Sequence, residues 1–257
     1  MQIVVPMAGA GQRYTDAGYT TPKPLILVAG VPMVVRAVRD LPDASKVVFV
    51  CQEAHVEEHA IDEVLRCYFP TCEIVTTDGL TAGQACTVRL AADALDPTDT
   101  VTVAACDNTH VYDAERLMAL LYVERCDGVV WTYRREPRVA LNPEMYGWVR
   151  TGEDDTEITG VSVKAPISGS PTEDHVVSGF FSFQTAGLMV ESIDELVRSG
   201  QQVNGEFYMD SIPNLMIEQG YRVAAFEVKK YIGWGTPADL HDYERWEEHF
   251  EAVLRQP

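Results

Sequence analysis

Short, unbroken apolar runs punctuate the first half of the chain. Ile3 to Val5, Val47-Val-Phe-Val50 and Val101-Thr-Val-Ala-Ala105 show no polar alternation, the mark of strands covered on both faces. The full pattern predicts strands at 2–5, 47–51, 73–76, 101–105, 128–134, 145–150, 158–163, 177–184 and 222–228. It predicts helices at 31–39, 53–68, 83–95, 113–124, 186–199, 207–219 and 236–254. Strand–helix alternation implies an α/β fold, a Rossmann-like three-layer αβα arrangement with a central mixed, mainly parallel sheet. The more polar, alternating strands of the second half suit a hairpin or a mixed extension. With no repeat, low-complexity tract or long linker, residues 1–257 are expected to form one domain. An open sheet of this kind binds ligands at the carboxyl ends of its strands, where the first loop, Gln84 and Asp107 all fall.

The first strand empties into Gly9-Ala10-Gly11. Glycines there let the backbone turn sharply and present N–H groups to an anion. Arg13 adds a planar fork for phosphate oxygens and Lys23 a point charge. Pro22 and Pro24 are expected to hold the lysine's segment extended. A Walker A loop would need Gly-Lys-Ser/Thr, which is missing. A dinucleotide fingerprint would need a small residue at Tyr14 and an acid about 20 residues on, where Ala29, Gly30 and Val31 stand. A plain tight turn would account for the glycines but not for Arg13 and Pro-Lys-Pro.

Met7-Ala8-Gly9-Ala10-Gly11-Gln12-Arg13 and Pro22-Lys23-Pro24-Leu25-Ile26 resemble the opening signature of the sugar-phosphate nucleotidyltransferases, whose fold is GT-A-like. The likeness continues through Thr81-Ala-Gly-Gln-Ala-Cys-Thr87, Cys106-Asp-Asn108, Lys164, Gly179-Phe-Phe181, Asn204-Gly-Glu-Phe-Tyr208 and Gly233-Trp-Gly-Thr-Pro-Ala-Asp-Leu240. It is nearest to a bacterial subgroup associated with capsule and surface polymers. The resemblance implies a nucleotide-binding half (1–125) and an acceptor-binding half (126–257). It implies nucleotide contacts from Met7, Ala8, Gly9, Ala10, Gly11, Gln84 and Asp107, and catalytic roles for Arg13 and Lys23. Lys164, Gly147, Glu206 and Gly179 correspond to acceptor-binding positions.

Elementary chemistry is compatible with several of these roles. Asp107 follows an apolar strand, and a triphosphate calls for magnesium, which takes one or two protein carboxylates plus phosphates and water. The alternative is an Asp that merely begins a turn before helix 113–124. The Gln84 amide suits a base edge, with Gly83 giving the base access to backbone; otherwise Gln84 is an exposed first-turn residue. Gly147 reads equally as a strand bulge, and Glu206 as a first-turn acid favoured by the helix dipole. Two departures stand out. Many members carry a second metal-binding aspartate where this chain has Gly233, and Val163 replaces a glutamate before Lys164. Asp210 is the other acid available for the ion, but it falls in an expected helix and is read as solvent-facing.

Net charge is −19, which argues against nucleic acid and anionic membranes as partners. Residues 1–39 nonetheless hold Arg13, Lys23, Arg36 and Arg39 against Asp16 alone; Arg36 and Arg39 are expected to be solvated. No apolar run approaches a membrane span and no signal peptide is evident, so a cytoplasmic location is expected. Six cysteines without metal-type spacing read as reduced thiols. The histidines suggest no ligand cluster, and Glu153-Asp154-Asp155 reads as an exposed hairpin turn. Self-association into a homo-oligomer is compatible with such a chain.

The expected reaction joins a nucleoside triphosphate to a small phosphorylated or phosphonylated acceptor, with release of pyrophosphate. The rivals are a glycosyltransferase, which would want an Asp-x-Asp motif where Cys106-Asp107-Asn108 stands, and a catalytically silent nucleotide-binding regulatory domain.

Overall fold

In a computed structural model, which describes residues 1–254, the elements run β1 (Gln2–Pro6), α1 (Gln12–Asp16), β2 (Leu27–Val28), β3 (Val31–Pro32), α2 (Met33–Arg39), β4 (Lys46–Gln52), α3 (Glu53–His59), α4 (Ile61–Tyr68), β5 (Glu73–Thr77) and α5 (Gln84–Arg89). They continue with β6 (Val101–Val103), β7 (Asn108–Val111), α6 (Ala114–Met118), β8 (Gly128–Tyr133), β9 (Gly147–Thr151), β10 (Ile158–Val163), β11 (His175–Phe183), α7 (Ala186–Ser199), α8 (Ile212–Glu218), β12 (Val223–Glu227), β13 (Lys230–Gly233) and α9 (Pro237–Leu254).

Nine strands form the central sheet in the order β10-β9-β11-β6-β1-β4-β5, with β8 against β11 and β12 beyond it. β6, β1, β4 and β5 pair in parallel. β11 is antiparallel to β6, β8 and β9, and so joins the parallel half to the mixed extension. Its register shifts between Val177 and Phe181, where Gly179 adopts φ +89°. The expected α/β class and mixed, mainly parallel sheet are therefore observed. In β1, Ile3 and Val5 enter the core on one face and Val4 the core on the other, all at most 2% exposed, which is why the strand shows no alternation.

Element boundaries differ where local backbone breaks a periodic run. The expected helix 53–68 is split at Ala60, in the left-handed region at φ +48°. Residues 207–219 open with an Asn204-Gly205 turn, both residues at positive φ, followed by a 3-10 turn at Met209–Ser211. The antiparallel ribbon β7–β13 was not expected, because neither strand has an extended apolar run.

Gly83 has a packing reason. Its φ is +122°, and a Cβ there would lie 2.6 Å from the backbone N and O of Phe207. Ala85 N–H donates to Phe207 O at 3.0 Å, and Phe207 N–H to Ala82 O at 2.8 Å. The segment after the Asn204-Gly205 turn thus fills the space expected to admit a base. Gly83→Ala should lower stability by about 1–3 kcal/mol, the cost of a strained backbone residue, measured as the midpoint of chemical denaturation; an unchanged midpoint would mean the 206–207 segment is free to shift.

Candidate active site

The loop after β1 is fixed from below and open above. Met7 and Ala8 are buried; Met7 N–H donates to Val50 O at 2.8 Å, and the Gln52 amide donates to Ala8 O at 2.8 Å. Gly9 and Ala10 are exposed, and no atom lies within 4 Å of a Cβ built on Gly9. Gly11 is left-handed at φ +61°, and its missing Cβ would meet Lys23 Cβ at 3.2 Å. Glycine there lets the proline-bounded segment close onto the loop. That segment is a 3-10 turn, Lys23–Leu25, rather than extended chain, and Arg13 lies on the short helix α1 rather than in a loop. Tyr14 is buried and its hydroxyl donates to Trp234 O at 2.6 Å, so the residue that breaks a dinucleotide fingerprint ties the two ends of the fold together.

Lys23 Nζ pairs with Asp107 Oδ2 in a short contact. Both side chains are partly covered. Burial disfavours the charge on Lys23, but the Asp107 carboxylate outweighs it and raises the ammonium's pKa. Burial likewise pushes the Asp107 carboxyl up, and the Lys23 charge and hydrogen bond, the Asn108 amide and Arg13 pull it below the usual carboxylate range. Asp107 is held from two sides: Trp234 N–H donates to its backbone oxygen at 2.8 Å, and neighbouring Asn108 donates to Ser178 O at 3.0 Å. Asp107 therefore leads into strand β7, not directly into a helix. Gly179 packs close by, its absent Cβ 3.4 Å from Ala105 Cβ.

Arg13 is exposed and makes no ion pair among the described residues. It lines a cavity of about 500 Å³ with Asp107, Tyr133, Tyr146, Tyr231 and Thr236. A second cavity of about 450 Å³ lies against Gly9, Ala10, Gly11, Lys23 and Gln52. Arg13's charge is also felt at Tyr146 and Lys164.

A second cluster gathers around Lys164, a non-glycine residue at φ +60°. Its Nζ donates to Met145 O and lies 5.4 Å from the Tyr208 ring centroid. Burial lowers its pKa, partly offset by Asp210 and Glu206. Asp210 does not face solvent as expected from its helical context. It sits in the Met209–Ser211 turn, with Oδ2 2.2 Å from where a Cβ on Gly147 would stand, so Gly147 is required by this acid. Burial pushes the Asp210 carboxyl up to about 6, against the pull of Lys164. Glu206 is exposed and hydrogen-bonds Tyr208; it follows a tight turn rather than opening a helix. Gln84 begins α5 and is half-buried. Lys164, Gly147 and Glu206 are thus brought around Asp210, a residue the sequence offered only as a stand-in metal ligand.

Among the described residues, three metal-capable side chains converge at Asp155, His175 and Glu227, but Arg134 already pairs with both acids. The histidine there is buried. Arg36, expected to be solvated, is paired with Glu247 at 3.1 Å. No described helix is long and apolar enough to cross a membrane, and all six cysteines are free thiols.

Comparisons with known proteins agree with this architecture. Residues 3–190 match the MobA-like NTP transferase domain, and the chain belongs to that nucleotidyltransferase family. A stretch of 152 residues is 25% identical to the bifunctional protein GlmU of Staphylococcus carnosus, covering 58% of this chain and 32% of GlmU; the chain spans about a third of that curated relative. The fold superposes on the nucleoside-diphosphate-sugar pyrophosphorylase from Vibrio cholerae RC9 with a TM-score of 0.74 at 20% identity, over 95% of this chain and 99% of that one. It superposes on the inositol-1-phosphate CTP transferase from T. maritima with a TM-score of 0.72 at 15% identity, over 95% and 93% of the two chains. At such identities the likeness establishes the fold.

Two stability results are expected. Lys23→Ala leaves Asp107 partly covered without its counter-charge and should cost about 1–3 kcal/mol, whereas Arg13→Ala should be near neutral; equal denaturation midpoints would contradict the ion pair. Asp210 has the opposite sign. Because its folded pKa of about 6 lies above its unfolded value, the folded state binds the extra proton, and this group's contribution is lost as pH rises from about 4 to about 6. Asp210→Asn should therefore gain stability relative to wild type over that window, on the order of 1–3 kcal/mol, read from denaturation at several pH values.

Proposed function

We propose that the protein transfers a nucleotidyl group from a nucleoside triphosphate to a small acceptor carrying a phosphate or phosphonate. An acceptor oxygen attacks the α-phosphorus, one P–O bond forms as the bond to the β-phosphate oxygen breaks, and pyrophosphate leaves. The acceptor oxygen is already anionic, so no general base is required. The observation that carries this reading is the Lys23–Asp107 pair at the carboxyl edge of the parallel strands, with Arg13, unpaired among the described residues, sharing a cavity with Asp107.

The residue roles follow from placement. The exposed Gly9-Ala10-Gly11 backbone, continuing from Met7 and Ala8, cradles the triphosphate, and Gln84 serves the base. Lys23 turns from Asp107 to the α-phosphate, and Arg13 takes the β- and γ-oxygens. Lys164 receives the acceptor's phosphate, with Gly147, Gly179, Glu206 and Asp210 shaping that end. Asp107 suits magnesium: it is a hard oxygen donor kept ionised, beside an Asn108 side-chain oxygen that has no partner. When bound, the ion would neutralise phosphate charge, while the protein's own share of the work is alignment of two mutually repelling anions. The cytoplasm is the corresponding location. The Gly-x-Gly-Thr-Pro segment favours an activated intermediate for surface polymers.

Incubation with CTP, UTP, dTTP or GTP, magnesium, inorganic pyrophosphatase and a panel of phosphorylated acceptors tests the reading. Phosphate release dependent on an acceptor is expected, and hydrolysis without one, or none with any pair, would overturn it. Arg13→Ala and Lys23→Ala should each lower turnover by roughly 10² or more while remaining folded. Asp107→Asn should nearly abolish activity. Asp210→Asn should raise KM for the acceptor and leave magnesium binding unchanged by calorimetry.

A further inference from the structure

Position 233 lies two residues beyond Tyr231 on β13, so both face the same side of the ribbon. Tyr231 leans across that face. A Cβ built on Gly233 would stand 2.6 Å from Tyr231 Oη, 2.7 Å from Cε1 and 2.8 Å from Cζ. The ring is not free to swing away: it stacks on Tyr133 with centroids 4.2 Å apart and planes at 14°, and borders His110 at 5.9 Å. His110 is itself buried, and that burial draws its pKa down to about 3, so it packs as a neutral ring. A phenol therefore fills the volume that any side chain at 233 would occupy.

That phenol stands beside the reacting centre. Tyr231 shares the cavity with Arg13, Asp107, Gly233 and Gly235, and a Cβ on Gly235 would lie 3.5 Å from Asp107 Oδ2. Its hydroxyl makes no hydrogen bond among the described residues, so its proton is available to a ligand. At this edge Lys23 supplies a point charge and Arg13 a charged planar fork, whereas the phenol O–H adds a single, uncharged aimed donor.

We infer that Tyr231 Oη hydrogen-bonds a non-bridging oxygen of the triphosphate beside Asp107, and that its side chain is what makes glycine obligatory at 233. The first half rests on the nucleotidyltransferase reading; the second is purely steric. Tyr231 is then a substrate-contacting residue, and β13 contributes to the site through a side chain that reaches over its own glycine.

Two measurements on the full chain test this. Tyr231→Phe keeps the stacked ring and removes Oη alone. It should retain the wild-type melting temperature, weaken calorimetric binding of the magnesium salt of the preferred triphosphate, and lower kcat/KM for that triphosphate, each about tenfold to a hundredfold, as expected for a hydrogen bond to a charged oxygen. Binding and turnover equal to an active wild type would overturn the contact while leaving the proposed function standing. A wild type that binds no triphosphate would overturn both. The steric half is read by a double-mutant cycle on stability. Gly233→Ala should lower the melting temperature clearly in the wild-type background and much less in a Tyr231→Ala background. An equal shift in both would show that Tyr231 does not restrict position 233.

Discussion

A single cation–carboxylate contact, Lys23 to Asp107, organises the centre of this molecule. It exists because β1 and β6 are adjacent and parallel, so the chain leaves both at the same edge. Parallel neighbours place their outgoing loops side by side even when those loops are far apart in sequence. The pair keeps each charge ionised, and each group is positioned by something other than its partner. Gly11 lets the lysine segment close, while Trp234 and Asn108 hold the aspartate's neighbourhood. The open edge of the sheet therefore carries one charge of each sign, each compensated by the other.

The other end of the site is built on a different constraint, close approach without side chains. Gly83 lets residues 206–207 dock on the start of α5, and Gly147 lets the Asp210 carboxyl stand against β9. These two contacts bring Lys164 together with Tyr208 and Asp210, although the lysine follows β10 and the other two lie in the turn before α8. Asp210 is costly in such a position: it is partly desolvated, its charge is opposed by burial, and Lys164 only partly compensates. A chain that retains a partly desolvated, half-compensated acid beside a lysine in the left-handed region concentrates unfavourable energetics in one place, as functional sites commonly do.

The C-terminal ribbon connects these ends. Tyr14 reaches Trp234, Trp234 reaches Asp107, and Tyr231 fills the face beside Gly233. The ribbon is short and lacks an apolar run, yet it closes one side of the cavity that holds Arg13. Its stability comes from aromatic contacts to Tyr133 and His110 and from pairing with β7, not from strand propensity.

By itself the sequence determined the α/β class, the parallel half of the sheet and the glycine turn that follows its first strand. Unbroken apolar runs have one solution, burial on both faces, and Gly-x-Gly followed by Arg13 and Pro-Lys-Pro encodes its geometry within some fifteen residues. Such signals survive without knowledge of the fold because their partners are near in the chain. What the tertiary structure alone decided are relations between distant segments: Lys23 with Asp107, Tyr14 with Trp234, Gly83 with Phe207, Gly147 with Asp210. Each of those glycines looks locally like a turn or a bulge, and Asp210 like an ordinary helix-surface acid; Lys23 and Asp107 stand out in the sequence, but their pairing does not. The local periodicity that predicts an element says nothing about what a neighbour 60 to 220 residues away will press against it, and it is that neighbour which makes glycine necessary and burial possible.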